Sequence, residues 1–306
     1  MTNAPYRRIH VVINPASGKD EPILNVLNDV FREHGVDWDI SLTHKYGDAN
    51  AQARAAIADG VDLVAGYGGD GTQHEIANAV LTAQAETGRR TPMGILPGGT
   101  GNGFAREMGV PGTLREATTV LCSSSNTRVI DVGRLVSVAQ APVADRWFIQ
   151  RLYIGIEPEQ QTSRELKDKY GVLAYAVSLA GRATGGNRSR YVADLDGQRF
   201  EFEASTIYVV NSGMMGTGLK ISHTYAVDDG LLDCFALDVR NLDSVAAAAA
   251  RLLDIPALNE SHYYRQARAV SLEAEPDQPV WTDGEYVGRT PVKIEALRSA
   301  LTIVVP

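Results

Sequence analysis

A glycine-rich stretch with a single carboxylate is the part of this sequence best suited to chemistry. The segment VAGYGGDGTQHEIAN, residues 64–78, passes from an apolar run through four glycines and one aspartate into a helix-like pattern. Glycines let backbone N–H groups approach a ligand closely, and a helix N-terminus adds partial positive charge, so the arrangement is typical of phosphate binding. Asp70 would repel phosphate oxygens unless a cation such as Mg²⁺ lay between them.

Taken alone, this loop leaves two interpretations open. Gly66-x-Gly68-x-x-Gly71 satisfies the dinucleotide pattern GxGxxG, but that pattern belongs on the first strand of its unit and this loop follows the third. The Walker pattern GxxxxGK[ST] is absent from the sequence. The second interpretation is a tight strand-to-helix turn without a ligand, in which Asp70 caps the following helix.

Two more loops of similar composition follow other predicted strands. Asn14-Pro15-Ala16-Ser17-Gly18 comes after the first strand, and residues 97–102 (PGGTGN) come after the fourth. Because the carboxyl ends of parallel strands meet at one edge of a sheet, we expect all three loops to converge there and form a ligand crevice.

The elements that position these loops alternate between strand and helix patterns over the first third of the chain. The predicted strands are 9–14, 38–43, 61–66 and 93–96; the predicted helices are an apolar stripe from Ile23 to Gly35, an alanine-rich helix with Asp48 as its N-cap, and 74–86. Strands separated by such helices imply a parallel α/β sheet.

Beyond about Arg128 the pattern changes to mostly antiparallel strands. Alternating or β-branched runs are separated by turns, and Asp196-Gly197 predicts a hairpin. Two helical stretches, Tyr170–Ala183 and Leu242–Leu253, interrupt the strands.

Composition narrows the function classes. The chain has 306 residues, 44% of them apolar, with a net charge of −8, which argues against general nucleic-acid binding. Its two cysteines lack CxxC spacing and its six histidines lack metal-ligand spacing, so neither a disulfide framework nor zinc chemistry is indicated. With no signal-peptide pattern and no apolar run long enough to span a membrane, we expect a soluble cytoplasmic protein.

Five motifs in order resemble the diacylglycerol kinase catalytic-domain family, which includes bacterial lipid kinases and sphingosine kinases. They are NPASG, YGGDGT, LPGGTGN, VDDGLLD (Val227–Asp233) and WTDGE (Trp281–Glu285), and together they span nearly the whole chain.

The resemblance implies an N-terminal nucleotide-binding domain similar to those of phosphofructokinases and NAD kinases, at 1–127, and a C-terminal β-sandwich that takes the lipid, at 128–297. The last strand, near 298–306, would return to the first domain, and the active site would lie in a cleft. The implied reaction is transfer of the γ-phosphate of ATP, with Mg²⁺, to a hydroxyl of diacylglycerol, a sphingoid base or a related lipid.

The resemblance also assigns roles to residues. Glu285 would be the general base that takes the proton of the attacking hydroxyl, Asp283 would support it, and Asp70 would serve the metal–phosphate network. The implied nucleotide contacts are Asn14, Ser17, Thr43, Gly68, Gly69, Gly71, Thr72, Gly99, Thr100 and Asn102. The alternative for WTDGE is an Asp-Gly hairpin with a solvated glutamate.

A second, structural Mg²⁺ is implied at VDDGLLD, with Ala226, Asp229 and Leu231 as ligands; a plain turn before a strand is the alternative. Asp131 matches a family aspartate of the charge network near the phosphates, and Glu157 stands where many relatives have Asp.

Two positions depart from the family pattern. Gly103 stands where relatives commonly have Asp, and His74 where they usually have Asn. These changes put the metal arrangement in question, and Gly103 leaves open a catalytically silent nucleotide- or lipid-binding regulator. A kinase of a soluble acceptor such as NAD is also open, because NAD kinases share the GGDG loop.

Residues 164–190 carry six cationic against two acidic side chains in an otherwise acidic protein. We expect this stretch to approach an anionic membrane surface electrostatically, with a solvated helix face as the alternative.

Overall fold

The computed structural model describes residues 4–17, 21–140, 146–155, 188–212, 214–215, 219–220, 226–237 and 264–306. The chain divides into two units, Met1–Ile130 with Ser299–Pro306, and Asp131–Arg298. The expected helices Tyr170–Ala183 and Leu242–Leu253, Glu157, and the basic stretch as far as residue 187 lie outside the described residues.

The first unit alternates strands and helices. Its strands are β1 (Arg8–Ile13), β2 (Asp37–Leu42), β3 (Leu63–Gly68) and β4 (Met93–Pro97). Its α-helices are α1 (Ile23–His34), α2 (Asp48–Ala58), α3 (Asp70–Thr87), α4 (Gly103–Glu107) and α5 (Leu114–Ser123), and Pro15–Ser17 forms a turn of 3₁₀ helix.

The second unit is built mainly from strands. They are β5 (Thr127–Ala139), which begins in the first unit, β6 (Arg146–Phe148), β7 (Arg151–Ile154), β8 (Ser189–Leu195), β9 (Gln198–Ala204), β10 (Thr206–Val210), β11 (Met214–Met215), β12 (Leu219–Lys220), β13 (Leu232–Leu237), β14 (Tyr264–Ala267), β15 (Ala269–Glu275), β16 (Pro279–Thr282) and β17 (Glu285–Val304).

The sheet of the first unit is parallel, in the order β17–β4–β3–β1–β2, and only the end of β17 takes part, with Ile303 opposite Met93. Every residue of β3 and β4 is buried. Such continuously buried strands are typical of a parallel sheet covered on both faces. Helix α1 packs against α5, and α2 packs against α3.

The second unit is antiparallel and forms two layers around one core. One layer has the order β14–β13–β10–β7–β16–β17, and the other runs from β17 through β15 and β8 to β9. Their inward residues form a single hydrophobic cluster that includes Leu152, Val209, Tyr191 and Val270. The Asp196-Gly197 hairpin is confirmed, with both residues at positive φ between β8 and β9. A parallel α/β unit and an antiparallel unit confirm the fold class.

Two local predictions in the first unit were wrong. Helix α3 begins at Asp70, not residue 74. Strand β3 extends to Gly68, which pairs with Pro97, and Gly69 alone separates the strand from the helix. Asp48 is not the N-cap of α2; Gly47 is, and the Asp48 carboxylate accepts the amides of His44 and Lys45 in the preceding turn. The Asp48 carboxylate therefore closes the turn before the helix.

Helix α5 was not predicted, although its start carries a sequence signal. Thr113 is the N-cap and its hydroxyl oxygen accepts the amide of Glu116 at 3.3 Å. The Thr113-x-x-Glu116 spacing is that of a capping box.

Candidate active site

The loops after β1, β3 and β4 lie side by side at the carboxyl edge of the parallel sheet. The Asn14 amide donates to the Tyr67 carbonyl at 2.9 Å, and its side-chain Nδ2 donates to Thr72 Oγ1 at 3.1 Å. The Gly98 amide donates to the Gly68 carbonyl at 3.0 Å. The structure therefore brings together residues of all three glycine-bearing loops.

Glycine is required where the second and third loops touch. A Cβ built on Gly99 would lie 2.6 Å from the Gly69 Cα, and one built on Gly98 would lie 2.8 Å from the Tyr67 ring. Real Cβ contacts are not that short, so a side chain at either position would force the loops apart. The absence of side chains leaves backbone N–H groups as the surface that a ligand meets at this edge.

Asp70 joins the second loop to the third. Its two carboxylate oxygens accept the amides of Gly103 and Phe104, each at 3.1 Å, at the start of α4. It makes no capping bond within its own helix, whose N-cap is Gly69. Asp70 therefore caps the short helix α4 and does not cap α3, the helix in which it lies. Each oxygen accepts one of these two bonds, so oxygen lone pairs remain to bind a hard cation such as Mg²⁺.

The other predicted nucleotide contacts occupy the same three loops or the end of β2. Ser17 is buried and its hydroxyl donates to the Asn14 carbonyl at 2.6 Å. Asn102, at φ 49°, closes its own loop through reciprocal bonds with Gly99. Gly71 lies in the first turn of α3, Thr43 directly after β2, and Thr100 is exposed on the third loop.

Tyr67 and Glu21 form a contact that the sequence did not indicate. The buried Tyr67 hydroxyl donates to Glu21 Oε1 at 2.7 Å and so ties the segment just before α1 to β3. Burial, together with the bond to Glu21, raises the pKa of Tyr67 and keeps the phenol a donor. The available signal was a large aromatic residue inside an otherwise glycine-rich run.

In the second unit, the segment WTDGE forms a two-residue hairpin between β16 and β17. Thr282 pairs with Glu285, and both turn residues, Asp283 and Gly284, have positive φ. Glu285 is the first residue of β17 and is half-buried.

Asp283 fixes this hairpin to the connection between β6 and β7. Its carboxylate accepts three successive backbone amides, those of Ile149 at 2.8 Å, Gln150 at 3.1 Å and Arg151 at 2.7 Å. A carboxylate that accepts three successive backbone amides is held in one orientation. Asp283 is therefore suited to position Glu285.

The segment VDDGLLD is organised by Asp131. The Asp131 amide donates to the Val227 carbonyl at 2.7 Å, and its buried carboxylate accepts the Gly230 amide at 2.5 Å. Asp229 accepts the amide of Leu231 at 2.9 Å. Within the described residues no cluster of three or more His, Cys, Asp or Glu side chains could hold a metal ion, so an ion held by Ala226, Asp229 and Leu231 would depend on backbone carbonyls.

The two described members of the basic stretch are both paired. Arg188 forms an ion pair with Glu203 and Arg190 with Glu201, each at 2.6 Å. Among the helices that the structure describes, none is long and apolar enough to cross a bilayer.

Comparison with protein families gives two matches that together cover most of the chain. Residues 8–135 match the diacylglycerol kinase catalytic domain. Residues 152–305 match the YegS C-terminal NAD kinase beta sandwich-like domain, which by itself covers half of the chain.

Individual relatives match over nearly their whole length. A diacylglycerol kinase of Bacillus subtilis (strain 168) is 27% identical, over 98% of this chain and 97% of the relative. One of Staphylococcus saprophyticus is 26% identical, over 98% and 96%. A crystal structure of a diacylglycerol kinase from Bacillus anthracis str. Sterne has a TM-score of 0.81 at 25% identity, covering 100% of this chain and 99% of that one.

Proposed function

The chain belongs to the diacylglycerol kinase catalytic-domain family, and on that premise we propose that it transfers the γ-phosphate of ATP, with Mg²⁺, to a hydroxyl of diacylglycerol or a closely related lipid. As a member of this family it is a lipid kinase, a phosphotransferase with an alcohol acceptor. The nucleotide, the metal and the acceptor are the parts that belong to the proposal.

The position of Asp70 is the observation that carries the proposal. Its carboxylate lies among three glycine-bearing loops and is anchored by the Gly103 and Phe104 amides. A fixed carboxylate beside phosphate groups needs a divalent cation between them, and Mg²⁺ prefers such oxygen ligands. Mg²⁺ bound there would neutralise charge on the phosphates, which accounts for much of the catalysis in phosphoryl transfer.

Glu285 is the residue proposed to act on the acceptor. Its carboxylate takes the proton of the lipid hydroxyl while that oxygen bonds to the γ-phosphorus and the bond to the β-phosphate oxygen breaks, so that ADP leaves. The anchored Asp283 turn holds Glu285 at the start of β17. For a loosely bonded transition state the base contributes less than charge neutralisation does.

Two other functions remain as alternatives. A kinase of a soluble acceptor shares the glycine loop, but the named relatives are diacylglycerol kinases over nearly the full chain, which favours a lipid. A silent regulator is suggested by Gly103, since relatives commonly have a carboxylate there.

The test is transfer of radiolabelled phosphate from ATP and Mg²⁺ to lipids in mixed micelles, with dioleoylglycerol, sphingosine and, in solution, NAD as acceptors. We expect labelled phosphatidic acid, with the rate lowered at least 100-fold in Asp70→Asn and about 10- to 100-fold in Glu285→Gln. Glu295→Gln, an exposed carboxylate on the same strand as Glu285, is the matched control. Labelled NAD alone, or bound ATP without transfer to any acceptor, would contradict the proposal.

A further inference from the structure

The backbone between β6 and β7 makes a buried bend in the second unit. Ile149 and Gln150 form the bend, and both are buried. Buried backbone groups outside a strand ladder need hydrogen-bond partners from elsewhere in the fold. The N–H groups of residues 149–151 donate to the carboxylate of Asp283. We call residues 149–151 the bend segment.

The carbonyl groups of the bend segment are bound by Asn211, the residue that follows β10. The Asn211 side-chain Nδ2 donates to the Ile149 carbonyl at 3.2 Å, and its backbone amide donates to the Gln150 carbonyl at 2.8 Å. The Ser212 amide donates to the same Gln150 carbonyl at 3.0 Å. Asp283 therefore binds the N–H groups of the bend segment, and Asn211 binds its carbonyl groups.

Asn211 also contacts the strand that carries Asp131. Its Nδ2 donates to the Asp131 carbonyl at 2.8 Å, and the Asp131 carboxylate in turn organises the segment VDDGLLD. A primary amide nitrogen has two hydrogens, so the bonds to Asp131 and Ile149 use its full donor capacity. One side chain therefore links the segment VDDGLLD with the bend segment that Asp283 binds.

Asn211 is buried although only half of its amide group is paired. The residue is 1% exposed, and its Oδ1 has no hydrogen-bond partner among the residues that the structure describes. A buried oxygen without a partner lowers the stability of a protein. Stability alone is therefore a weak reason for asparagine at this position, whereas a need to hold two carbonyl groups in place explains it.

We propose that Asn211 is a positioning residue for the general base Glu285. Asn211 fixes the bend segment, and the bend segment fixes the Asp283 carboxylate through three amides. Asp283 in turn fixes the hairpin turn after which Glu285 begins β17. The inference rests on the proposed function and assigns Asn211 a part in it. Because a misplacement of about 1 Å can slow a reaction about 100-fold, a residue that acts through two contacts can still control kcat.

Asn211→Ala should lower kcat and leave substrate binding nearly unchanged. Without the side chain, the carbonyls of Asp131 and Ile149 lose this donor, and the bend segment can shift relative to Asp283. We expect kcat for dioleoylglycerol to fall about tenfold, with the KM for the lipid and the Kd for ATP within about threefold of the wild-type values. Asn211→Ser keeps a hydroxyl donor, so its kcat should lie between those of Asn211→Ala and the wild type.

A double-mutant cycle separates the positioning of Glu285 from a general loss of structure. In a Glu285→Gln background no base is left to misplace, so Asn211→Ala should lower the remaining kcat by less than about twofold. A defect that acts by another route lowers kcat about equally in both backgrounds. Equal effects would therefore overturn the proposal. If Asn211→Ala does not fold, the milder Asn211→Ser takes its place in the same cycle.

Val270→Ala is the control for lost stability. Val270 is buried in the core cluster of the same unit, on β15, and its truncation destabilises the unit by leaving a cavity. Urea unfolding gives the stability of both variants, and kcat is compared under conditions in which both are fully folded. We expect Val270→Ala to keep kcat within about twofold of the wild type. If Val270→Ala lowers kcat as much as Asn211→Ala does, lost stability accounts for both and the proposal fails.

Amide hydrogen exchange tests the link from Asn211 to the hairpin without an activity assay. Mass spectrometry follows two peptides, one that covers residues 147–152 and one that covers residues 281–287. We expect exchange in both peptides to be at least about tenfold faster in Asn211→Ala than in Val270→Ala. Faster exchange in the first peptide alone would show that the bend segment does not control the hairpin turn, and would overturn the proposal.

The kinetic and exchange experiments distinguish failure of this inference from failure of the proposed function. Phosphate transfer to lipid, with equal effects of Asn211→Ala in both backgrounds, refutes the positioning role and leaves the kinase in place. Faster exchange in both peptides, without transfer to any lipid, refutes the kinase and leaves Asn211 as the residue that holds the hairpin turn.

Discussion

At the scale of single residues, the candidate site uses carboxylates to bind backbone amides. Asp70 accepts two successive amides at the start of α4, and Asp283 accepts three at the connection before β7. Charge-assisted bonds of this kind are about twice as strong as neutral ones. Both carboxylates are thereby fixed in place before any ligand binds.

Asp283→Ala should destabilise the protein and slow phosphate transfer together. Three amides lose a charged acceptor and alanine disfavours a positive φ, so we expect a loss of about 2–4 kcal/mol in the free energy of unfolding. Asp283→Asn keeps one acceptor oxygen and tolerates the turn, so its loss should be about half. Urea unfolding measures the stability, and the micelle assay measures kcat.

Asp196 supplies a matched control for this prediction. It occupies the equivalent position in the β8–β9 hairpin, at φ 52°, and accepts the amides of Arg268 and Ala269. Asp196→Ala should therefore cost similar stability and leave kcat within twofold. If both variants lower kcat equally, Asp283 has no special part in positioning Glu285.

Gly103 should determine how strongly the first unit depends on Mg²⁺. A carboxylate introduced by Gly103→Asp would lie near that of Asp70, and two like charges about 4 Å apart repel by roughly 1–4 kcal/mol unless a cation binds between them. We expect a lower melting temperature without Mg²⁺ and a larger rise on adding Mg²⁺ than in the wild type. Thermal unfolding during a Mg²⁺ titration measures both, with Gly112→Asp as the control of equal charge. Identical Mg²⁺ responses would show that no cation binds beside Asp70.

At the scale of elements, the sequence predicted which segments are strands and helices better than where they begin. The apolar runs of β1 to β4 and the stripe of α1 were identified because burial repeats with the period of each structure. The start of α3 was misplaced because glycine is a poor helix former, whereas Gly71 lies in the first turn of the helix. Contacts between segments that are distant in sequence, such as the one between Tyr67 and Glu21, produce no local sequence pattern from which they could be predicted.

Adding a single methyl group where the second and third loops touch should destabilise the protein. Gly99→Ala would place its Cβ 2.6 Å from the Gly69 Cα, which is backbone and cannot rotate away. We expect a loss of about 1–3 kcal/mol in the free energy of unfolding and at least a tenfold rise in the Kd for ATP.

Gly112→Ala is the control for this substitution. Gly112 has open space around its Cβ position and lies at no positive φ. Differential scanning fluorimetry and equilibrium dialysis with ATP compare the two variants. Unchanged ATP affinity in Gly99→Ala would show that the close approach of the two loops is not needed for the nucleotide.

At the scale of the whole molecule, the sequence indicated a parallel α/β part followed by an antiparallel part, and the structure has both. The candidate site was found in sequence because its glycines and carboxylates are local motifs. The alignment of four aromatic residues across neighbouring strands could not be found in this way. Tyr153, Tyr208, Phe235 and Trp281 are far apart in the chain, and only strand register aligns them. Register in an antiparallel sheet is set by the whole fold.

The end of the chain completes the parallel sheet of the first unit, so its core residues should stabilise that unit. Leu301, Ile303 and Val304 are fully buried, and the tail is held by Ser124 and Asn126, which bond to the carbonyls of Val305 and Pro306. Leu301→Ala or Ile303→Ala should lower the free energy of unfolding by about 2–5 kcal/mol each, because each leaves a cavity.

Leu297, on the same strand but 38% exposed, provides the comparison. Leu297→Ala should cost less than about 1 kcal/mol, since surface substitutions seldom cost more. Urea unfolding followed by Trp38 fluorescence reports on the first unit, and ATP binding at intermediate urea shows whether the nucleotide site is lost with it. If Leu301→Ala costs no more than Leu297→Ala, the first unit folds without its last strand, and the terminal segment is an appendage to a four-stranded sheet.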